Sequence, residues 1–400
     1  MKTTTLFILC YYYILLLSNS LISLESLLLG NQPSRSTQKV NDYDLVIVGA
    51  GASGLFASGA ALSFGLKTLL VDKGNNGNYI GGDCTNCACV PSKALRSISR
   101  QLSTQSSSIG TTTICKTELI AQARAHTFNT VRAVRKRESK ENFANVTNLS
   151  LELVDSSRFV SENEMDLVPQ RGSNKTIQRI RAKKFLIATG ASPIVPANLK
   201  CDAEKAGIPI FTYRDILSPE TNNSLWEELR RDAASPASIL VVGGGPTALE
   251  LSQALTRLKV NITLVAPTLL AAEDVSLQQA ACKILRGAGV SLILGKRVVS
   301  VNRNKDVMLN DGTRVKTDVL VVCVGRNPAI ASLQLDAASV AWDESSGILV
   351  NPSSLRSKTN ARVFACGDCC SAVLGKDRKA AHAAWTGYHA IRNIALPRIL

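Results

Sequence analysis

The sequence predicts an α/β protein in which one building unit, a buried strand running through a glycine-rich turn into a helix, occurs twice. The first copy is DYDLVIVGAGASGLFASGAAL from Asp42, and the second is SILVVGGGPTALELSQAL from Ser238. Four hundred residues, 45% of them hydrophobic, are enough for two or three domains with cores of their own.

The chain opens with Lys2 and an apolar run from Leu6 to Leu17, closed by Ser18-Asn19-Ser20. A basic start, a run of that length and a small-x-small exit describe a secretory signal peptide over residues 1–20, leading to a lumenal or secreted protein. A membrane span needs about 20 apolar residues, so a signal anchor extended through Leu21, Ile22 and Leu24 is the second reading. Residues 21–40 form an acid-poor linker, which also suits a bipartite organelle-targeting sequence. Sequons at Asn145, Asn148, Asn174 and Asn222 fit a lumenal route.

The first unit follows. Leu45 to Val48 read as a buried strand; Gly49 permits the tight turn, Gly51 lets backbone approach a pyrophosphate, and Gly54 lets the helix pack close to the strand. A second strand, Lys67 to Val71, ends in Asp72, at the distance where an acid takes a ribose hydroxyl. Together these describe a Rossmann-like dinucleotide site. After a loop, Gly74 to Tyr79, comes GGDCTNCACVPSKAL from Gly81. Cys84 and Cys89 stand in a C-x4-C arrangement followed by Pro91, Ser92 and Lys93. A disulfide there closes a short loop at the start of a helix, whose N-terminus favours the thiolate. On spacing alone, a buried structural pair or two unrelated core thiols is the default reading.

A helix-like stretch from about Thr117 to Asn142 carries Arg132, Arg135, Lys136, Arg137 and Lys140 without interleaved aromatics, and a looser basic cluster runs from Arg171 to Lys184. The net charge of +15 is spread along the chain with these local concentrations; the first reads as a solvated helix face rather than a nucleic-acid face, and no nucleic-acid motif accompanies it. Residues 149–190 alternate in short β-like stretches. In the second unit, Gly243, Gly245 and Ala248 form a GxGxxA pattern, again a dinucleotide turn. Its second strand, Asn261 to Val265, runs into Ala266-Pro267-Thr268. An acid there favours NAD and an arginine NADP; neither is present, and the missing acid favours NADPH. Asn310-Asp311-Gly312 marks a hairpin turn, and Val319 to Val324 is a buried strand before Gly325-Arg326. Of eleven cysteines, Cys366, Cys369 and Cys370 invite a metal reading, but no second ligand cluster accompanies them and no metal site is expected.

The order GxGxxG, acid, GG-x-C-x4-C-VPSKAL, GxGxxA resembles the flavoprotein disulfide reductases, most closely the mercuric-reductase-like and dihydrolipoamide-dehydrogenase-like branch. Phe185 to Pro193 is similar to the family's ATG motif, with Thr189 and Gly190. Val363 to Asp368 is similar to its second flavin motif, with Gly367 and Asp368 at the ribityl chain and a covering helix, Lys379 to Ile394. The resemblance implies an FAD-binding domain in two parts, residues 41–200 and 326–400, around an NAD(P)-binding domain at 201–325. It implies a role in cell redox homeostasis. Electrons would pass from NAD(P)H through FAD to a redox disulfide, with Cys89 proximal to the flavin and Cys84 exchanging with a thiol/disulfide or metal-ion acceptor. Lys93 would pair with Glu250 beside the flavin. Asp83 replaces the family's common threonine, and Cys87 is an extra thiol that could compete in exchange. The family is homodimeric through a further C-terminal domain supplying a His-Glu pair. The sequence ends at Leu400, and His126, His382 and His389 do not lie in that motif. Rival readings are a flavin-binding protein without disulfide-reductase turnover and an NAD(P)H:acceptor oxidoreductase reducing quinones or oxygen.

Overall fold

The computed structural model describes residues 42–74, 79–105, 115–144, 146–220, 225–230, 238–373 and 379–396. The expected signal peptide (1–20), the linker (21–40) and the sequons at Asn145 and Asn222 lie outside these. In chain order the principal elements are β1 (Asp42–Val48), α1 (Ala52–Ser63), β2 (Thr68–Asp72), α2 (Gly82–Asn86), α3 (Cys89–Gln105), α4 (Lys116–Arg135), β3 (Leu149–Ser161), β4 (Glu164–Pro169) and β5 (Gln178–Ile187). Then come β6 (Ile210–Phe211), α5 (Tyr213–Leu217), β7 (Ser238–Val242), α6 (Pro246–Arg257), β8 (Asn261–Ala266), α7 (Val275–Gly287) and β9 (Ser291–Leu294). They are followed by β10 (Val298–Val301), β11 (Asp306–Leu309), β12 (Arg314–Lys316), β13 (Val319–Val322), β14 (Val363–Ala365) and α8 (Ala380–Ala395). No helix among the described residues is long and apolar enough to cross a membrane.

Two compact units emerge. One comprises the described residues of Met1–Ile80, Ser139–Ala191 and Pro328–Leu400; the other is Gly81–Glu138 with Ser192–Asn327. The sequence expectation kept 81–138 with the first nucleotide fold, whereas the structure groups them with the second. The reason is apolar packing: Leu95 and Leu102 of α3 and Leu119 and Ile120 of α4 share one buried cluster with Leu251 and Leu255 of α6.

In the first unit the parallel strands run β3-β2-β1-β5-β14, paired for example Val48 with Val71 and Val46 with Phe185. Such runs are apolar on both faces because helices cover parallel sheets, and Leu45, Val46 and Ile47 are fully buried. The sequence reverses direction across the sheet between β1 and β5, which places a ligand crevice at their carboxyl ends. β4 joins the outer halves of β3 and β5 as an antiparallel meander. Its carboxylates neutralise cations of the second basic stretch: Asp166 takes Arg179 at 2.8 Å and Glu164 takes Arg181 at 2.6 Å.

The second unit repeats the plan. Its parallel strands run β9-β8-β7-β13-β6, and β10, β11 and β12 form the antiparallel meander. The expected Asn310-Asp311-Gly312 turn joins β11 to β12, with the Gly312 amide donating to Leu309 O at 3.0 Å.

The expected helix to Asn142 ends earlier, at Arg135, and a short helix restarts at Lys140–Ala144. Arg135 is buried rather than solvated: it donates from Nε to Asn86 Oδ1 at 2.7 Å and grips both carboxylate oxygens of Glu220.

Candidate active site

The nucleotide turn of the first unit is built as its spacing requires. The Gly49 amide donates to Val71 O at 2.7 Å and the Ala188 amide to Val48 O at 2.8 Å, so the ends of three neighbouring strands are laced at one level. Gly49 has φ +108°, and a Cβ there would overlap the Ala188 carbonyl; at Gly54 a Cβ would overlap the Gly49 carbonyl. Asp72 accepts from the amides of Ala50 at 2.5 Å and Gly74 at 2.6 Å. Burial pushes its pKa up and these two bonds oppose that. Each oxygen keeps a lone pair for a hydroxyl donor.

The two later motifs arrive at the same strand ends. The Cys366 amide donates to Ile187 O at 3.0 Å. Gly367 has φ +69° with a Cβ position filled by Ser53 Oγ of α1, and its amide donates to Thr386 Oγ1 of α8 at 3.0 Å. The structure thus gathers Gly49, Gly51, Gly54, Asp72, Thr189, Gly190, Gly367 and Asp368 within one unit. Thr189 Oγ1 is buried at this cradle, next to the Cys369 sulfur. The residues therefore fit FAD.

The second unit reproduces these links. The Gly243 amide donates to Val265 O at 2.9 Å and the Cys323 amide to Val242 O at 2.8 Å. Gly243 has φ +126° against the Cys323 carbonyl, whereas the Cβ direction of Gly245 meets open space. Ala248 is fully buried, where a larger side chain would separate α6 from its sheet. An open face at the second glycine, at the start of a helix, fits a pyrophosphate. At the carboxyl end of β8 a cavity of about 510 Å³ is lined by Thr268, Gln278, Lys283 and Arg286 among others.

The cysteine segment lies within the second unit. Gly81 and Gly82, both at positive φ, turn the chain into α2, which carries Cys84; Cys89 is the first residue of α3. Pro91 falls in the first turn, where its missing N–H costs nothing. Both thiols are free, half-buried and hydrogen-bonded to each other. That bond, then the Lys93 ammonium one turn on and Arg326, lower Cys89 to about 7 against burial and Glu250. Cys84 moves the other way, raised by the same bond, by burial and by the charge of Glu138.

Lys93 and Glu250 do not form the ion pair that the resemblance implies. Glu250 on α6 is 3.9 Å from Arg96, one turn beyond Lys93 on α3. The longer fork of Arg96 spans the gap between the helices, and Lys93 acts on the two sulfurs. Arg96 is thus a residue that motif reading overlooks, although its i+3 spacing from Lys93 puts both on one helix face.

Asp83 finds partners 130 residues away. Its carboxylate takes the Arg214 guanidinium in a fork, with Nε to Oδ1 at 3.0 Å and Nη2 to Oδ2 at 3.0 Å, and the Tyr213 hydroxyl at 2.5 Å. A capping box of Thr212 and Asp215 starts α5 and so presents Tyr213 and Arg214 in its first turn. Cys87 is buried, its thiol donating to Asp83 Oδ1 at 3.4 Å, and burial pushes its pKa well up. That setting keeps it a neutral thiol rather than a competitor in exchange. Cys369 donates to Ile187 O at 3.3 Å and Cys370 to Gly367 O at 3.5 Å. No group among the described residues gathers three His, Cys, Asp or Glu around a metal position.

Comparison with known proteins agrees with this construction. Residues 43–387 match the family model described as pyridine nucleotide-disulphide oxidoreductase. A mercuric reductase of Lysinibacillus sphaericus is 28% identical over 86% of this chain and 58% of its own length. The mitochondrial dihydrolipoyl dehydrogenase of Schizosaccharomyces pombe is 25% identical over 78% of this chain and 58% of its own length. The chain therefore spans somewhat over half the length of these curated relatives. The Cu(II) complex of the HOCl-induced flavoprotein disulfide reductase RclA from Escherichia coli shares the fold, with a TM-score of 0.66 at 22% identity over 90% of this chain and 72% of that one. Twin Rossmann-like units, a dithiol at the head of a helix and a family match across most of the sequence lead to one assignment: the chain belongs to the pyridine nucleotide-disulphide oxidoreductase family.

Proposed function

We propose that the protein is an FAD-dependent NAD(P)H:disulfide oxidoreductase whose working dithiol is Cys84 and Cys89. The observation that carries the reading is the hydrogen-bonded thiol pair, with Cys89 lowered to about 7. One member is thus poised as thiolate at neutral pH, and its partner is held as thiol. FAD, when bound, would relay the electron pair of NAD(P)H to the Cys84–Cys89 disulfide. The protein residues do the rest. The turn at Gly49 to Gly54 and the turn at Gly243 to Ala248 hold the two pyrophosphates, with Asp72, Thr189, Gly190, Gly367 and Asp368 placed for the flavin nucleotide. Lys93 stabilises the Cys89 thiolate, and Arg96 pairs with Glu250, whose charge opposes it. Overall, NAD(P)H and a proton reduce the disulfide to two thiols, which then reduce a thiol/disulfide acceptor; a metal ion is the alternative acceptor, as in the relatives named mercuric reductase. Residues 1–20 direct the chain into the secretory pathway.

Anaerobic addition of NADPH to the flavin-loaded protein should produce a long-wavelength thiolate-to-flavin charge-transfer band. Cys89→Ser should abolish it; an unchanged spectrum in that variant sinks the dithiol route and favours direct reduction of another acceptor.

NADPH is the proposed donor, supported by Lys283 and Arg286 among the residues lining the cavity beyond Thr268, none of which is an acid. A charged hydrogen bond contributes about 1.5–3 kcal/mol. Replacing both Lys283 and Arg286 by Ala should therefore raise KM for NADPH roughly tenfold or more and leave NADH kinetics unaltered. Equal effects on both nucleotides count against the preference.

A further inference from the structure

Asp83 lies between the glycine turn and Cys84, and the scheme above gives it no task. Its carbonyl accepts the amides of Cys87 at 2.9 Å and Ala88 at 2.6 Å. The stretch that joins the two thiols therefore closes back on the residue before Cys84. The Cys87 thiol, midway along that stretch, adds a bond to Asp83 Oδ1 at 3.4 Å. The carboxylate binds outside the turn, to the fork of Arg214 and the hydroxyl of Tyr213. Arg214 is itself held, its Nη1 donating to Ser192 Oγ at 3.3 Å. The far side of the turn is tied as well. Asn86 donates from Nδ2 to Gly82 O at 2.9 Å and accepts from Arg135 Nε at 2.7 Å, while Arg135 grips Glu220.

Closing a disulfide requires the backbone between its cysteines to hold a narrow geometry. A turn already held with its sulfurs in contact loses less chain freedom on closing, by about tenfold in the closure equilibrium for each backbone residue fixed beforehand. Charge does not single out Arg214. Lys93 acts on both sulfurs, Arg326 acts on Cys89 and on Tyr213, and Glu138 acts on Cys84. What distinguishes Arg214 is its planar fork on the carboxylate, which fixes direction as well as distance.

We propose that Arg214 is a positioning residue of the dithiol: through its fork on Asp83 it holds the turn between Cys84 and Cys89 in the arrangement from which their disulfide closes. The proposal rests on the disulfide-reductase reading above. The equilibrium it governs is exchange with an external disulfide. The Cys84–Cys89 dithiol gives up two electrons and two protons and becomes a disulfide, and the external disulfide takes them up and becomes two thiols. Loosening the turn disfavours the closed ring, so the protein disulfide becomes easier to reduce.

The test measures that equilibrium directly. Full-length, FAD-loaded protein is equilibrated anaerobically in glutathione and then dithiothreitol buffers of stepped thiol-to-disulfide ratio. After acid quenching and alkylation, mass spectrometry scores the Cys84–Cys89 peptide as disulfide or dithiol. Arg214→Met should lower the ring-closure constant about tenfold, a rise of about 30 mV for a two-electron couple. Arg214→Lys keeps the charge and loses the fork, and should shift it in the same sense by at least about threefold. Asp83→Asn should also raise the potential, and the Asp83→Asn, Arg214→Met double variant should go no further than the larger single change. An unchanged or more negative potential in Arg214→Met overturns the proposal. So does additivity in the double variant, which would show that Arg214 does not act through Asp83. A wild-type potential in Arg214→Lys overturns it too, by assigning the effect to charge. Should Arg214→Met fail to fold, Arg214→Lys and Asp83→Asn must both show the rise, and its absence in either overturns the proposal. A wild type in which Cys84 and Cys89 form no disulfide in any buffer rejects the disulfide-reductase reading, and the proposal with it.

Discussion

Cys89 begins α3, so the positive end of that helix and the Lys93 ammonium one turn on both favour its thiolate. The hydrogen bond from Cys84 is the largest contribution; Arg326 helps, while burial and Glu250 oppose. Because the lowered form is the anion, the reactive fraction should fall as pH drops through about 7. Iodoacetamide labelling of the reduced protein, with the Cys89 peptide followed by mass spectrometry, should show that midpoint. Lys93→Ala should move it upward, since a favourable charge has gone; a midpoint unmoved by the substitution rejects the role given to Lys93. Asp83 makes the same point about context. As a charged residue between glycines and thiols it needs a partner out of water, yet nothing near it in sequence names Arg214 or Tyr213.

Elements in this protein are joined by close approach at their ends. Helix α1 can start against β1 only because Gly54 presents no Cβ to the Gly49 carbonyl, and α8 uses Gly387 in the same way against the Ser53 carbonyl. Gly54→Ala should therefore displace α1 from the turn. The overpacking cost is about 1–3 kcal/mol, and the visible result should be purified protein with less bound flavin, read from the absorbance ratio at 450 and about 280 nm. Flavin content equal to wild type rejects this account of the turn. At the end of α4, Arg135 shows the limit of helical pattern reading. Its neighbours Arg132, Lys136 and Arg137 are exposed, and periodicity does not distinguish it from them. It is buried because Glu220 and Asn86 come to it from distant parts of the chain.

On the scale of the molecule, two copies of one strand plan each close around their own core. The second is discontinuous: the helices that carry the dithiol complete the apolar cluster under α6. Residues 192–327 expressed alone should fold poorly, because Leu95, Leu102, Leu119 and Ile120 are missing. A fully buried side chain of that kind contributes about 1.5–3 kcal/mol. Adding residues 81–138 through a linker should restore a cooperative thermal transition. A well-folded 192–327 fragment would show that α3 and α4 are dispensable to that core. The sequence by itself determined the α/β class and both glycine turns, and it marked where in the chain Asp72, the Cys84–Cys89 spacing and the Thr189–Gly190 and Gly367–Asp368 segments stand. The glycine turns were legible because a positive φ or a close backbone approach admits few residue types, even where the neighbour, as Ala188 is for Gly49, is distant in sequence. Tertiary structure decided what depends on burial and on distant neighbours. It grouped 81–138 with the second unit, gave Glu250 to Arg96 rather than Lys93, paired Asp83 with Arg214 and quieted Cys87. Charges separated by more than a hundred residues meet only after the chain has folded, and desolvation then sets which of them stay ionised.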